Sequence, residues 1–345
     1  MTTKNPKTLI VDMSPLFYSN LISVTNQMKK TGLKPDPETG KIPFTYRNEL
    51  IFIIMEEIKE LRKFGTPEIV LAFDNSIGGY WRKHEYSRYK YKRTKEREES
   101  EIDWDSAFKV FEELKTLLKE YTSFKVIDIP TLEADDIAFV LSEYLQDTGV
   151  ILQTLDGDWK HALNYNNVKL FMTRKTQKKD GHYVELTKEE LKEKKLEHCI
   201  SGDPGDGFLH IKAWTQFSDE FLKEYPKFKG KEIQLYDKHH EIEHKYNLKH
   251  NYDPKKQAYK HPRFGYKMLL RSKKSLRSIL KENPIHLKNF KLNRQLCLPT
   301  NVPTELKEKI IYEYEQAKTQ KDPAELQKFF MNNNLFELTG IIGLL

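Results

Sequence analysis

Along the first half of the chain, short apolar runs alternate with longer stretches whose apolar residues fall three and four apart. The runs are 8–12, 68–73, 125–129 and 150–155, and their Val, Ile, Leu and Phe content predicts strands. Between them, 48–64 carries Leu50, Ile51, Ile54, Ile58 and Leu61 at helical spacing, and 104–121 and 134–146 follow the same rule. A short helix is expected through Trp159. This strand-then-helix order predicts an α/β fold, a mainly parallel central sheet with flanking helices on both faces. Sheets of that kind bind ligands at the carboxyl ends of their strands. Further on, 168–173 and 183–186 read as short strands. The stretch 188–199 reads as a helix running into a Gly-rich loop at 201–207, and 304–317 and 324–330 read as late helices. No internal repeat or low-complexity linker is present. A boundary near 187 divides a 1–186 core from a 187–345 helical region.

Composition narrows the class. Of the 345 residues, 38% are hydrophobic and 32% charged, which fits a globular, highly charged protein. The longest apolar runs, such as 50–55, are too short to span a bilayer, so no membrane is expected. No secretory h-region follows the N-terminus, and Cys199 and Cys297 form no Cys-x-x-Cys pair. A disulfide framework and a thiolate zinc site are therefore not expected, and the cytoplasm is the expected compartment. Lys and Arg number 58 against 51 Asp and Glu, a net charge of +7.

Acidic residues recur at chemically similar places. Asp12 ends the first strand and Asp74 follows the second. Glu133, Asp135 and Asp136 open the helix after the third. Asp156 and Asp158 follow the fourth, and Asp203 and Asp206 lie in the later loop Gly-Asp-Pro-Gly-Asp. Singly, each suits a helix cap or a turn. In one parallel sheet, however, the strand-end acids converge on one edge, where like charges repel and raise one another's pKa. A hard divalent cation suits such oxygen ligands, and no His or Cys sits beside them to favour zinc. Two cations roughly 3.5–4 Å apart would stabilise both the attacking and leaving oxygens of a phosphodiester displacement. With these nine acids set aside, the balance is 58 basic against 42 acidic residues, a basic body around an acidic pocket.

The stretch after Asp74 is basic and aromatic. Residues 80–99 hold eight Lys or Arg, four Glu and five aromatics. Cations grip phosphates and aromatic rings accept unstacked bases, so Tyr80, Trp81, Lys83, Arg88, Tyr89, Lys92 and Lys95 are candidates for nucleic-acid contact. For Tyr89 the expectation is a presented ring that stacks on an unpaired nucleotide. The competing reading is a charged helix with its rings packed inward.

These residues together resemble the 5′-nuclease or flap endonuclease family, with its phage ribonuclease H branch. The motifs are Ile-Val-Asp12, Ala-Phe-Asp74-Asn-Ser, Gly79-Tyr80-Trp81-Arg82, Tyr89-Lys90-Tyr-Lys-Arg93, Leu-Glu133-Ala-Asp135-Asp136, Leu-Asp156-Gly-Asp158 and Gly202-Asp203-Pro-Gly-Asp206, in family order over 7–210. The resemblance implies a PIN-like core, a helical arch over 75–105 and a helix–three-turn–helix in the C-terminal region. It implies a monomeric 5′→3′ exonuclease or flap endonuclease using two Mg²⁺ or Mn²⁺ ions. Asp12, Asp74, Glu133, Asp135 and Asp156 would form the shell of one ion. Asp158, Asp203, Asp206 and Asp136 resemble that of the other, with K⁺ at 201–207. Arg82, Lys90 and Arg93 match cations that hold the scissile phosphate. Flapped, nicked or branched DNA and RNA–DNA hybrids are the implied substrates, with a sliding clamp and single-strand-binding protein as implied partners.

The sequence departs from the family at two places. Gly-Phe-Leu-His-Ile follows Asp206 where relatives usually have Asn-Ile-Pro-Gly-Val, and 31–45 is longer, at the position where the family's strand-separating wedge can sit. The apolar 335–345 end is expected to pack on the body rather than dock a replication partner. A rival reading is a zinc peptidase through His240-Glu241-x-x-His244, on one helix face. Its context is poor, because the surrounding residues offer no apolar face. A PIN-type ribonuclease would share the acidic sheet edge but lack the arch and the 202–206 loop.

Overall fold

The computed structural model describes residues 6–87, 89–90, 92–173, 181–203, 205–208, 211, 252–253, 258–259, 275–282, 284–319 and 321–345, a few of them, Lys92, Thr94 and Lys95 included, by backbone alone. The chain forms two compact units. One comprises Met1–Ser87, Tyr91–Leu191 and Pro299–Leu345, the other Arg88–Lys90 and Lys192–Leu298. The boundary falls a few residues beyond the expected 187, and the last segment returns to the first unit rather than extending the second.

The first unit is built on a six-stranded sheet. Its strands are β1 (Thr8–Asp12), β2 (Glu68–Phe73), β3 (Lys125–Asp128), β4 (Val150–Thr154), β5 (Val168–Met172) and β6 (His182–Val184), in the order β3-β2-β1-β4-β5-β6. All pairs are parallel except β5 with β6. Alternate residues of a strand face opposite sides. Leu9, Val11, Leu71, Phe73 and Ile151 enter one core layer, while Ile10, Val70, Ala72 and Leu152 on the other side are also buried. Burial on both faces is the reason these strands read as unbroken apolar runs.

Helices α1 (Met13–Lys30), α2 (Arg47–Lys59) and α5 (Trp104–Tyr121) build the first layer. The sequence reading left α1 out. Its apolar stripe of Met13, Leu16, Phe17, Leu21 and Val24 is helical in spacing and buried, but Ser, Asn and Thr interrupt it. The chain leaves α1 through Lys29, Lys30 and Gly32, whose φ of 101° suits only glycine. α2 tightens into a 3₁₀ turn, Glu60–Phe64, and stops at left-handed Gly65. Asp103 caps α5 by accepting the Ser106 N–H at 3.1 Å. On the other face lies α6 (Ala134–Tyr144), joined by a helix from the returning segment, Thr304–Gln316. The late helix at Pro323–Asn332 and the 3₁₀ helix Phe336–Leu344 complete the first layer through Leu326, Phe330, Leu338 and Ile341. The apolar C-terminal stretch packs, as expected. No helix among the described residues is long and apolar enough to cross a membrane.

Within the expected arch, two helices are described, α3 (Trp81–Glu85) and α4 (Lys92–Glu99). In the second unit, α7 (Lys188–Ser201, begun in the first) runs into the loop at 202–208. Ile200 packs with Ile211 and with Ile279 of α8 (Leu276–Glu282). Further on lies α9 (Pro284–Leu292), whose Asn289 side chain donates to the Ile211 carbonyl at 3.3 Å. The second helix of the expected helix–three-turn–helix, the 226–263 stretch (apart from two short backbone pairs) and the His240-Glu241-x-x-His244 motif lie outside the described residues.

Candidate active site

Strand order reverses around β1, which has β2 on one side and β4 on the other. Asp12, Asp74 and Asp156 stand at the carboxyl ends of these three neighbouring strands. In open parallel sheets this switch point is where ligands bind.

Local structure fixes each of the three. Asp12 is the last residue of β1 and only 5% exposed, and its carboxylate accepts the Thr154 hydroxyl at 2.8 Å. Asp74 follows β2 and accepts the N–H of Ala134, the first residue of α6, at 2.8 Å. Asp156 caps the 3₁₀ helix Gly157–Asn164 by accepting the Asp158 N–H at 2.8 Å, and is exposed. The Asp12 carboxyl lies well above the ordinary carboxylate range. Burial is the main cause, and the charges of Asp74 and Asp156 add to it against the hydrogen bond from Thr154. Among the described residues, none of the three forms an ion pair. A set of oxygen donors, mutually repelling and without an internal cation, fits a hard divalent cation.

Asp135 stands beside this group on the first turn of α6. Trp159, fully buried, donates its indole N–H to Asp135 at 2.6 Å. Thr154 and Trp159 orient acids of the site, and the sequence reading missed both. Their closeness in sequence to Asp156 was the available signal.

Glu133 and Asp136 have a different environment. Both are buried, at 1% and 0% exposure, and face Arg82, itself 4% exposed. Arg82 donates to Glu133 at 2.8 Å and to both oxygens of Asp136 at 2.7 and 3.1 Å. Asp136 also accepts the Trp81 indole N–H at 3.0 Å and the Glu133 backbone N–H at 3.1 Å, closing a capping box at the start of α6. Burial raises the Asp136 carboxyl, Arg82 pulls it down, and Glu133 pushes it up again. Four of the expected site residues are thus engaged within the protein. Asp136 has its acceptor positions filled by the protein, and Glu133 is turned to Arg82. Arg82, expected to hold a phosphate, is committed to two internal carboxylates. Trp81 is likewise a packed residue, 9% exposed, rather than a presented ring. The chain enters α3 through Gly78 and Gly79, with φ of 81° and 82°, and the Trp81 N–H bonds the Thr131 carbonyl at 3.0 Å.

The remaining candidates divide. Tyr80 is half-buried, Lys83 exposed, and Arg93 half-buried on the first turn of α4. Arg88 and the side chains of Lys92 and Lys95 lie outside what is described. In the second unit, Lys90 adopts a φ of 53° and bonds its N–H to the Asp206 carbonyl at 3.0 Å, with its ammonium 3.9 Å from the Asp206 carboxylate. Asp203 turns its carboxylate back onto its own loop, accepting the Gly205 N–H at 2.9 Å. Tyr89 is 3% exposed, with its ring 5.6 Å from that of Phe208. This corrects the expected stacking role: the neighbouring residues in sequence are polar, but Phe208 supplies an apolar partner from elsewhere in the chain.

Residues 7–195 match the family described as 5′-3′ exonuclease, N-terminal resolvase-like domain. Over 202 residues the chain is 30% identical to the ribonuclease H of Enterobacteria phage T4, an overlap of 57% of this chain and 64% of that protein. The chain thus aligns with somewhat less than two thirds of that relative's length. A structure of T5 5′-exonuclease with bound divalent zinc ions shares the fold at 14% identity and a TM-score of 0.51, covering 91% of this chain and 99% of that one. A parallel sheet with acids at its switch point, and a matched segment spanning all four acidic strand ends of the first unit, have one common explanation: the chain belongs to the 5′-3′ exonuclease family.

Proposed function

We propose that this protein is a structure-specific 5′-nuclease that hydrolyses phosphodiesters near 5′ ends of DNA, or of RNA primers on DNA, with Mg²⁺ or Mn²⁺ as cofactor. The observation that carries the reading is the trio Asp12, Asp74 and Asp156, held together on adjacent strand ends without an internal cation. Asp12, Asp74 and Asp156 would hold a divalent ion, with Asp135 beside them. When bound, such an ion polarises the phosphoryl oxygens and lowers the pKa of water. The chain's own contribution is orientation. Thr154 fixes one oxygen of Asp12, the α6 N-terminus fixes Asp74, and the Asp158 N–H fixes Asp156. Lys90 and Arg93 are the cations proposed to grip the phosphate, and exposed Lys83 adds a sequence-independent attraction. K⁺ at the 201–207 loop, and work in primer removal beside a sliding clamp and single-strand-binding protein, belong to the same reading.

A 5′-labelled flap digested with Mg²⁺ or with EDTA, reading product length, tests it. Cleavage near the 5′ end only with the ion is expected. Asp74→Ala and Asp156→Ala should each lower the rate by about a thousandfold, roughly 4 kcal/mol of transition-state stabilisation, while retaining DNA binding. Near-normal turnover in both variants refutes the proposal.

A further inference from the structure

The 31–45 loop makes contacts with residues 97–102, at and beyond the end of α4. Lys41 donates its ammonium to the backbone carbonyls of Glu98, at 2.8 Å, of Ser100, and of Arg97, at 3.5 Å. Arg97 and Glu98 lie in the last turn of α4, the Arg97 carbonyl also accepting the Ser100 N–H at 3.2 Å, and Ser100 lies just beyond the helix. The next residue, Ile42, is fully buried, donates its N–H to the Glu101 carbonyl at 2.7 Å, and forms a parallel bridge with Ile102. Lys29, on the last turn of α1, pairs with Glu101.

The loop that delivers Lys41 is itself ordered by hydrogen bonds. Asp36 accepts the Glu38 and Thr39 N–H groups, both at 2.9 Å, and these bonds lower its pKa. Its own N–H reaches the Lys41 carbonyl at 2.8 Å, and Gly40 returns to the Asp36 carbonyl at 2.8 Å. A cation placed on the carbonyls of the last turn opposes the negative end of the helix dipole. Arg97 of α4 also lies over the rings of Trp104 and Phe108, its guanidinium carbon 5.7 and 5.0 Å from their centroids. The helix sequence, Lys-Arg-Thr-Lys-Glu-Arg-Glu-Glu, has no apolar residue to bury.

We propose that Lys41 is a positioning residue: the 31–45 loop is a clasp that closes the C-terminal end of α4 and so fixes the place of the cations at its start, Arg93 among them. The ligand class served is a single-stranded, sequence-unspecified polyanion, because those cations meet phosphates rather than base edges. The effect on cleavage rests on the nuclease reading; the clasp itself does not.

Hydrogen exchange of the backbone amides at 96–102, referred to those of the β1 core at 9–11, reads the clasp without any substrate. Lys41→Met should speed exchange at 96–102 by about tenfold relative to β1, on the order of one charge-assisted hydrogen bond lost. Lys41→Arg should restore most of the protection, and Lys34→Met, exposed in the same loop, should match the wild type. On a flapped substrate, Lys41→Met should raise KM several-fold with kcat nearly kept, and Lys41→Arg should reverse it. An unchanged exchange ratio, or an equal rise in both regions, overturns the clasp. A wild-type protein that cuts no 5′ substrate while the exchange result holds would sink the nuclease reading alone.

Discussion

At one end of the same sheet, two sets of carboxylates have opposite electrostatic environments. Glu133 and Asp136 are buried around the Arg82 guanidinium, with two further N–H donors from Trp81 and the α6 backbone. Asp12, Asp74 and Asp156 have hydrogen bonds to hold their orientation but no ion pair among the described residues. Both sets are acids after strands, and in sequence they look alike. The difference lies in whether the protein supplies the counter-charge. A set it has neutralised does structural work, pinning α3 to the start of α6. The other set is left repelling, with no cation of the protein paired to it among the described residues.

Three measurements can break or sharpen this contrast. The largest effect is expected from Arg82→Met, which leaves two buried carboxyls without their cation. Breaking a buried pair in this way costs about 3–5 kcal/mol, measured by denaturant unfolding. A variant of normal stability that has lost only cleavage would restore Arg82 to the phosphate-holding role and dissolve the contrast.

The second concerns the unpaired set. Addition of Mg²⁺ at about a hundred times its Kd should stabilise the wild type by about 2.7 kcal/mol, because the folded state alone presents the site. Asp74→Ala should lose most of that gain. An undiminished gain in Asp74→Ala would place the bound cation elsewhere.

The smallest effect is a pH slope. Folding raises the Asp12 pKa, so the folded protein holds this proton more tightly than the unfolded chain does. Both states are protonated well below the ordinary carboxylate pKa, and the contribution to stability is fully present there. It is lost as pH rises through the raised folded value. In EDTA, the wild type should therefore lose more stability between mildly acid and neutral pH than Asp12→Asn, whose amide carries no such proton. Melting curves at paired pH values check this; parallel slopes would mean that Asp12 is not strained by its neighbours.

Much of the fold was legible, for a physical reason. Parallel strands buried on both faces must be apolar throughout, so 8–12, 68–73, 125–129 and 150–155 stood out and their ends located the acids. α1 was harder, since Ser, Asn and Thr break its stripe although Asn20 and Thr25 sit buried with their polar groups bonded to helix carbonyls. The site was half legible. Which acids lie at strand ends follows from local sequence. Which of them meet an arginine does not, because Arg82 and Asp136 are joined by folding across more than fifty positions. Tyr89 shows the same limit: its polar neighbours suggested exposure, and Phe208 supplied the packing.

The return of residues 299–345 to the first unit has a consequence for biosynthesis. Phe330, Leu338 and Ile341 complete the same core layer as Leu9 and Leu71, and the Asn48 side chain bonds the Asn333 carbonyl. The 107 residues of 192–298 are therefore a nested insertion between the start of a core and its closure. At roughly 5–20 residues per second, a ribosome takes about 5–20 s to traverse it. During that interval β1 to β5 can pair, but each face of their sheet lacks part of its cover: Thr304–Gln316 beside α6 on one, Pro323–Asn332 and Phe336–Leu344 on the other. The acidic sheet edge thus reaches its final stiffness only after the helical unit has been synthesised.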